Sequence, residues 1–191
     1  MSMVVGLGCS LGVAADAVRA VLGRALRALG SRHPEVVACA TVDRRGSEPG
    51  LVAVATERGV PLLGYSAAQL DAVQVPHPSE LVRRHVGTGS VAEAAALLAA
   101  RDFGGGALVV PKLRGEQVTV AVAELVSPPD PPPLTISSAC TGCGACLLTC
   151  PEHALRPAPG RPVVISWKCS WCGECVEICP ADAITLRGER P

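Results

Sequence analysis

One pattern occurs twice in the last third of this 191-residue chain: Cys140-x2-Cys143-x2-Cys146-x3-Cys150-Pro151, then Cys169-x2-Cys172-x2-Cys175-x3-Cys179-Pro180. Of the ten cysteines, only Cys9 and Cys39 lie outside these runs. Such spacing is that of thiolate metal sites rather than of a secreted disulfide scaffold, so a reduced, cytoplasmic compartment is the expectation. Four-cysteine zinc sites also use Cys-x2-Cys pairs, but zinc needs no second identical four-cysteine run. The repeated run is that of iron–sulfur ligation.

Residues 134–188, including Ala181-Asp-Ala-Ile184 after the last cysteine, resemble the bacterial two-cluster ferredoxins. In that family the fourth cysteine of each run ligates the cluster of the other run. The resemblance therefore implies two [4Fe–4S] clusters, one held by Cys140, Cys143, Cys146 and Cys179, the other by Cys169, Cys172, Cys175 and Cys150. Three closely spaced thiolates wrap three corners of one cube, and the fourth, starting a turn, points across a pseudo-two-fold axis. Gly144 and Gly173 are expected to let the backbone pass close to the sulfides, and Pro151 and Pro180 to end the turn. Trp167 and Trp171 flank the start of the second run and are read as packing. The implied function is one-electron transfer at low potential. Nothing in the chain suggests a flavin, haem or nicotinamide of its own, so an external donor of the ferredoxin- or flavodoxin-reductase type is expected.

The composition breaks at Ser127-Pro-Pro-Asp-Pro-Pro-Pro133. Prolines remove backbone donors and favour extended geometry, so 127–133 reads as a semi-rigid linker reaching at most ~25 Å. The domains are then 1–126, the linker, and 134–191, a small α+β ferredoxin-like module.

Residues 1–126 alternate strand and helix signals. Met3–Leu7, Val36–Val42 and Leu62–Tyr65 read as strands, and Ala107–Val110 and Val118–Val122 as a strand pair turning at Gly115. Helices are expected over Val13–Leu29, with Gly30 as C-cap, over Ser66–Val73, and over Val91–Ala100, which has almost no polar face and must be buried. The class is an α/β layered domain with a mixed sheet.

Several residues here have chemical potential. Thr88-Gly-Ser90-x-x-Glu93 predicts a capping box, with Ser90 as N-cap and Glu93 reaching back. Gly87 and Gly89 in front leave helix N–H groups facing outward, which suits an anion as well as a plain capped helix. Gly6-x-Gly8 follows a strand but lacks the third glycine of the dinucleotide fingerprint. Asp43 and Glu48 bracket a polar turn, either as an acid/base pair or as solvated loop charges. Cys9, at a strand end, is either a nucleophile or inert, and Cys39 reads as core. His77 and His85 are isolated and read as loop and surface residues.

Gly6-Leu-Gly-Cys9, Ala40-Thr-Val-Asp43 with Glu48-Pro-Gly-Leu51, Pro76-His-Pro-Ser79, Val86-Gly-Thr-Gly-Ser-Val-Ala-Glu-Ala-Ala-Ala-Leu97, Leu108-Val-Val-Pro-Lys112 and Val118-Thr-Val-Ala-Val122 occur in this order. Together they resemble the cobalamin biosynthesis CobE family, equivalent to the C-terminal domain of CbiG, over residues 1–126. The resemblance implies a role in building the corrin ring. Its ligand would be a precorrin or corrin intermediate, a tetrapyrrole ringed with carboxylates, held by residues among Gly6, Gly8, Cys9, Asp43, Glu48, Gly87, Thr88, Gly89, Ser90, Glu93 and Lys112. Full-length CbiG is the cobalt-precorrin-5A hydrolase, which opens a lactone. This chain is expected to lack that enzyme's separate N-terminal domain, and a binding and electron-transfer protein serving a cobalamin-pathway enzyme is the leading expectation. A lactone hydrolase with an accessory ferredoxin, and a plain electron carrier with a docking domain, are the alternatives.

Charge and hydropathy exclude other classes. The chain carries 17 Lys plus Arg against 17 Asp plus Glu, balanced along its length with no basic stripe, so nucleic acid is not expected as a partner. No apolar run reaches the ~20 residues that span a bilayer, and Met1–Cys9 lacks the positive flank of a signal peptide.

Overall fold

The computed structural model describes residues 1–30, 34–126, 134–158 and 160–187, with the backbone alone for Trp167. The Pro-rich segment 127–133, and the Trp167 side chain read as packing, lie outside the described residues. The chain divides into two compact units, 1–128 and 129–191.

The elements of the first unit run in the order β1 (Ser2–Cys9), α1 (Ala15–Arg27), β2 (Glu35–Val42), α2 (Pro49–Glu57), β3 (Leu62–Tyr65), α3 (Ala67–Asp71), α4 (Glu80–Val86), α5 (Val91–Asp102), β4 (Gly106–Arg114) and β5 (Val118–Leu125). The strands form one sheet in the order β3-β2-β1-β5-β4. β1, β2 and β3 are parallel, while β5 runs antiparallel to both β1 and β4, which is the mixed α/β sheet the sequence implies.

Period-two alternation along β1 assigns its two faces. Met3, Val5 and Leu7 join the core built with Val18, Val21, Leu22 and Ala25 of α1 and with Leu51, Val54 and Ala55 of α2. Gly6 and Gly8 turn the other way, toward α5: a Cβ on Gly6 would fall on the carbonyl oxygen of Ala92. The helix that covers them buries Ala92, Ala94, Ala95, Ala96, Ala99 and Ala100, so small residues on both sides let α5 lie close on the sheet.

Three features differ from the sequence reading. α2 and α4 are helices where only loop and turn were expected; α2 starts on Pro49 at its first turn, straight after the polar turn, and α4 buries none of its residues, so neither carries a clear amphipathic signature. The capping box expected at Ser90 and Glu93 does not form: Ser90 stands at the N-cap of α5 but makes no side-chain cap bond. A capping box forms instead at Ser66 and Gln69, where both reciprocal bonds are present.

The second unit contains β6 (Leu134–Ile136), α6 (Ala145–Thr149), β7 (Leu155–Arg156), β8 (Val163–Val164), α7 (Glu174–Glu177) and β9 (Ile184–Leu186). β6 pairs antiparallel with β9, and β7 with β8. Leu134, Ile136, Leu155 and Ile184 form a small core with Cys146 and Cys175. Among the described residues no helix is long and apolar enough to cross a membrane.

Candidate functional sites

The sequence repeat of the second unit returns as a geometric repeat. Gly144 and Gly173 occupy the N-caps of α6 and α7 in the left-handed region, at φ of 79° and 84°. That backbone conformation favours glycine at both positions, whatever else packs there. After each run, the third residue beyond the last cysteine also takes a positive φ: 48° at His153 and 47° at Asp182. That turn aims the next backbone N–H back at the cysteine, so Ala154 N donates to Cys150 Sγ and Ala183 N to Cys179 Sγ, each at 3.3 Å. Two residues as unlike as His and Asp adopt one conformation, a signal that no composition rule would have revealed.

The cysteines gather in two crossed sets. Cys150, Cys169, Cys172 and Cys175 line one pocket, together with Trp171 and Leu155. Cys140, Cys143, Cys146 and Cys179 line a second, together with Ile136 and Gly144. Burial and the neighbouring Cys169, Cys172 and Cys150 push the Cys175 thiol up to about 11. Burial, with Cys140 and then other set members, raises Cys146 in the same way. Four thiolates gathered in one set would repel one another, so a cation held among them compensates their charge. Among the described residues no three His, Cys, Asp or Glu side chains converge on a site for a single metal ion; each set surrounds a space instead. Thiolates around a space, with backbone N–H groups aimed at sulfur, fit an iron–sulfur cluster.

In the first unit, the C-terminal end of β1, the N-terminus of α5 and the β4–β5 hairpin enclose a pocket lined by Gly8, Cys9, Ser10, Ser79, Ser90, Lys112, Arg114 and Thr119. Such a position, at the carboxyl ends of parallel strands where helices lie on both faces, is where open α/β sheets bind ligands. Ser90 is 1% exposed, and its hydroxyl has no partner among the described residues. A buried hydroxyl left without a partner is costly. The two cations stand close together: burial lowers the Lys112 ammonium, the Glu93 carboxylate partly restores it, and Arg114 lowers it further.

Glu93 is the other unexpected feature of this region. Its side chain is fully buried. It accepts from His77 N at 3.2 Å, from His77 Nδ1 at 2.8 Å and from Lys112 N at 3.1 Å. The Lys112 N–H is available because Pro111, on the edge strand, breaks the β4 ladder between Val110 and Leu113. Three donors outbid the reach-back to the α5 N-cap, so the expected capping box is lost to long-range contacts. Burial pushes the Glu93 carboxyl up, but the His77 ring and the two backbone donors outweigh it and leave the group below its usual value. Its stabilising contribution is thus full above the unfolded value of ~4.3 and lost as pH falls through the lower folded value. Melting temperature measured against pH should show this as an acid limb that is shallower in Glu93→Gln; an identical limb in the variant refutes the assignment.

The remaining candidates are placed as follows. Gly6 lies beneath α5 and does not line the pocket. Gly87 ends α4 in the left-handed conformation at φ 82°, and Thr88 and Gly89 are buried between the helices. Asp43 accepts its own turn's Arg44 N–H at 2.7 Å. Glu48 is buried, accepts Gly12 N–H at 2.8 Å and faces Arg45 at 3.9 Å. The two carboxylates therefore brace loops and do not converge as a pair. Cys9 is among the pocket's residues, but its side chain packs against the α1/α2 core, and burial, then Glu48, push the thiol up to about 11, so it stays protonated. Cys39 is fully buried and raised by burial to about 12, an inert core residue. Arg114 is the charged pocket residue that sequence reasoning missed; its charge in the second half of a hairpin strand carried no signal without the fold.

Comparison with known proteins identifies both units. Residues 3–123 match the family described as cobalamin synthesis G C-terminus, and residues 133–180 match the 4Fe-4S dicluster domain. Protein CobE of Sinorhizobium sp is 36% identical over 123 residues, which cover 63% of this chain and 79% of that protein. The cobalt-precorrin-5A hydrolase of Priestia megaterium is 30% identical over 121 residues, 63% of this chain but only 32% of that enzyme. This chain thus spans about a third of the hydrolase it matches. The crystal structure of CobE, a protein from the cobalamin (vitamin B12) biosynthetic pathway, superposes with a TM-score of 0.60 at 33% identity, over 66% of this chain and 92% of that one. The chain belongs to the CobE/CbiG C-terminus family of cobalamin biosynthesis, and in it that domain is joined to a 4Fe–4S ferredoxin domain.

Proposed function

We propose that the first unit binds a carboxylate-bearing tetrapyrrole intermediate of cobalamin biosynthesis, and that the second serves an enzyme of that pathway as its electron carrier. The observation that carries this reading is the union, in one chain, of a cobalamin-biosynthesis domain and two crossed sets of four cysteines. Cys140, Cys143, Cys146 and Cys179 would hold one [4Fe–4S] cluster, and Cys150, Cys169, Cys172 and Cys175 the other. When bound, such clusters supply one-electron transfer. The protein's own part is to hold the sulfurs in place, to donate Ala154 N–H and Ala183 N–H to two of them, and to shield them behind Ile136, Leu155 and Trp171. With no flavin or nicotinamide motif in the chain, electrons would enter from an outside reductase.

On the ligand side, Lys112 and Arg114 supply positive charge, and the α5 N-terminus supplies backbone donors beside the Ser90 hydroxyl. A carboxylate bound there would give Ser90 the acceptor it lacks. Binding is favoured over hydrolysis because the Cys9 thiol stays protonated, and Asp43 and Glu48, which do not line this pocket, are committed to loop contacts.

Titration of the full chain with hydrogenobyrinic acid, a metal-free corrin bearing free carboxylates, tests this through the change in corrin absorbance. Ser90→Ala should weaken binding by about tenfold, the value of one lost hydrogen bond to a charged group. Because Ser90 makes no cap bond, its melting temperature should stay within about 1 °C of the parent. Unchanged affinity, or a loss of stability typical of a broken cap, counts against the site.

A further inference from the structure

Between the first and second cysteine of each four-cysteine run stands a residue in the left-handed region: Gly142 at φ 71° and Trp171 at φ 60°. Glycine takes that conformation freely, while a bulky side chain takes it at a cost, and such a residue persists where it serves a site. Space does not force the difference. A Cβ at Gly142 would meet only the Gly160 carbonyl oxygen, at an ordinary 3.6 Å. Trp171 lines the pocket of Cys150, Cys169, Cys172 and Cys175. Gly142 is exposed and contributes nothing to the lining of the other pocket.

Charge separates the two sets in the same sense. Positions 140–150 contain no charged residue, whereas 169–179 contain Glu174 and Glu177, both exposed on α7, the helix that carries Cys175. One cation, Lys168, precedes the second run. At the other set, the Arg161 guanidinium donates to the carbonyl of Ile136 at 2.9 Å, and Ile136 lines that pocket. Glu152 and Asp182 each follow one crossing cysteine, Cys150 and Cys179, and so do not distinguish the sets. A cluster with four thiolates is already anionic, and its reduction adds one electron without breaking a bond or moving a proton. Nearby carboxylates oppose the added charge through space. An apolar side chain that displaces water removes the solvation that would have favoured it, and both effects lower a cluster's potential.

We propose that Trp171, with Glu174 and Glu177, holds the cluster of Cys150, Cys169, Cys172 and Cys175 at the lower reduction potential. A single electron delivered to the protein then rests on the cluster of Cys140, Cys143, Cys146 and Cys179. This rests on the electron-carrier reading and gives it a direction. Electrons supplied by the outside reductase run downhill to the first-run set, and the acceptor draws them from there.

The test uses the full chain, purified anaerobically with its clusters and reduced stepwise in an electrochemical cell, while electron paramagnetic resonance counts the reduced clusters. Two equal clusters would also split their reduction by mutual repulsion, so the readout is which cluster takes each wave. Cys140→Ala, which leaves the second-run cluster, should be at least tenfold harder to reduce than Cys169→Ala, which leaves the other. For one electron that is a difference of about 59 mV. Trp171→Gly, which places there the residue found at 142, should raise the lower wave of the two-cluster protein several-fold and leave the upper wave in place. Glu174→Gln combined with Glu177→Gln should do the same. Iron content certifies assembly of each variant, and where a single-cluster variant keeps no iron, the Trp171 and Glu substitutions decide alone. A packing role for Trp171 would cost stability without moving either potential. The proposal is overturned if the cluster left in Cys140→Ala reduces as readily as the one left in Cys169→Ala. It is equally overturned if either the Trp171 or the double Glu variant leaves the lower wave unmoved. Both results leave the electron-carrier reading standing. A parent protein that assembles no [4Fe–4S] cluster, or whose clusters take up no electron, removes that reading and this one with it.

Discussion

Cys150→Ala is expected to remove about half of the iron, and to remove it from the cluster belonging to the other sequence run. The reason is the crossing of the two sets: Cys150 shares its pocket with Cys169, Cys172 and Cys175, which begin nineteen positions further on, and not with its own neighbours. A parent protein carrying two [4Fe–4S] clusters holds about eight iron atoms, and loss of one cluster leaves about four. Pairs of substitutions separate this from ligation within each run. Cys150→Ala with Cys169→Ala should lose no more iron than either change alone, since both strike one cluster. Cys150→Ala with Cys140→Ala should lose nearly all of it. Iron and acid-labile sulfide measured on the anaerobically purified proteins decide the matter; the reverse ordering of the two double variants would show that each run binds its own cluster.

Gly6→Ala is expected to be the most destabilising single-methyl change in the first unit. The new Cβ would be driven into the Ala92 carbonyl oxygen and would lie 2.7 Å from Ala96 N. Both are backbone atoms of α5, so no rotamer change relieves the clash and the whole helix must lift from β1. Overpacking of this kind costs about 3 kcal/mol or more, which lowers the melting temperature by roughly 10 °C in a unit of this size. Gly23→Ala provides the opposite sign. Gly23 is a helical glycine whose Cβ would meet only the flexible end of Arg27, at 3.2 Å. Helix propensity then favours alanine by roughly 0.5–1 kcal/mol. Equal effects of the two substitutions on thermal unfolding would mean that α5 does not sit as close to β1 as described.

The two predictions depend on different kinds of information, and they mark what was legible beforehand. Three of the four cysteines in each set lie within seven consecutive positions, so local chain geometry suffices to bring them together. Strand β3 was readable to its ends, Leu62–Tyr65, because Pro61 opens it and its apolar residues are buried in the sheet. Helix α5 announced its burial through an unbroken alanine-rich surface, although it runs on to Asp102. Helix α4 announced nothing, since it buries none of its residues and its hydrophobic pattern has no stripe to read. Gly6 and Gly8, which lack the third glycine of the dinucleotide fingerprint, stood in sequence only as ligand-contact candidates; in the fold Gly6 serves helix–strand contact, and only Gly8 reaches the pocket.

The amino-acid order alone determined the two-part organisation, the iron–sulfur chemistry and the α/β class, because each rests on spacings and periodicities that act over a few residues. The tertiary structure decided what depends on distant partners. It turned Glu93 away from the α5 N-cap toward His77 and Lys112, sixteen and nineteen positions off. It left the Ser90 hydroxyl unpaired beside two cations of the β4–β5 hairpin. A carboxylate goes to the donors that the folded chain presents to it, and a capping motif counts only the donors nearby in sequence.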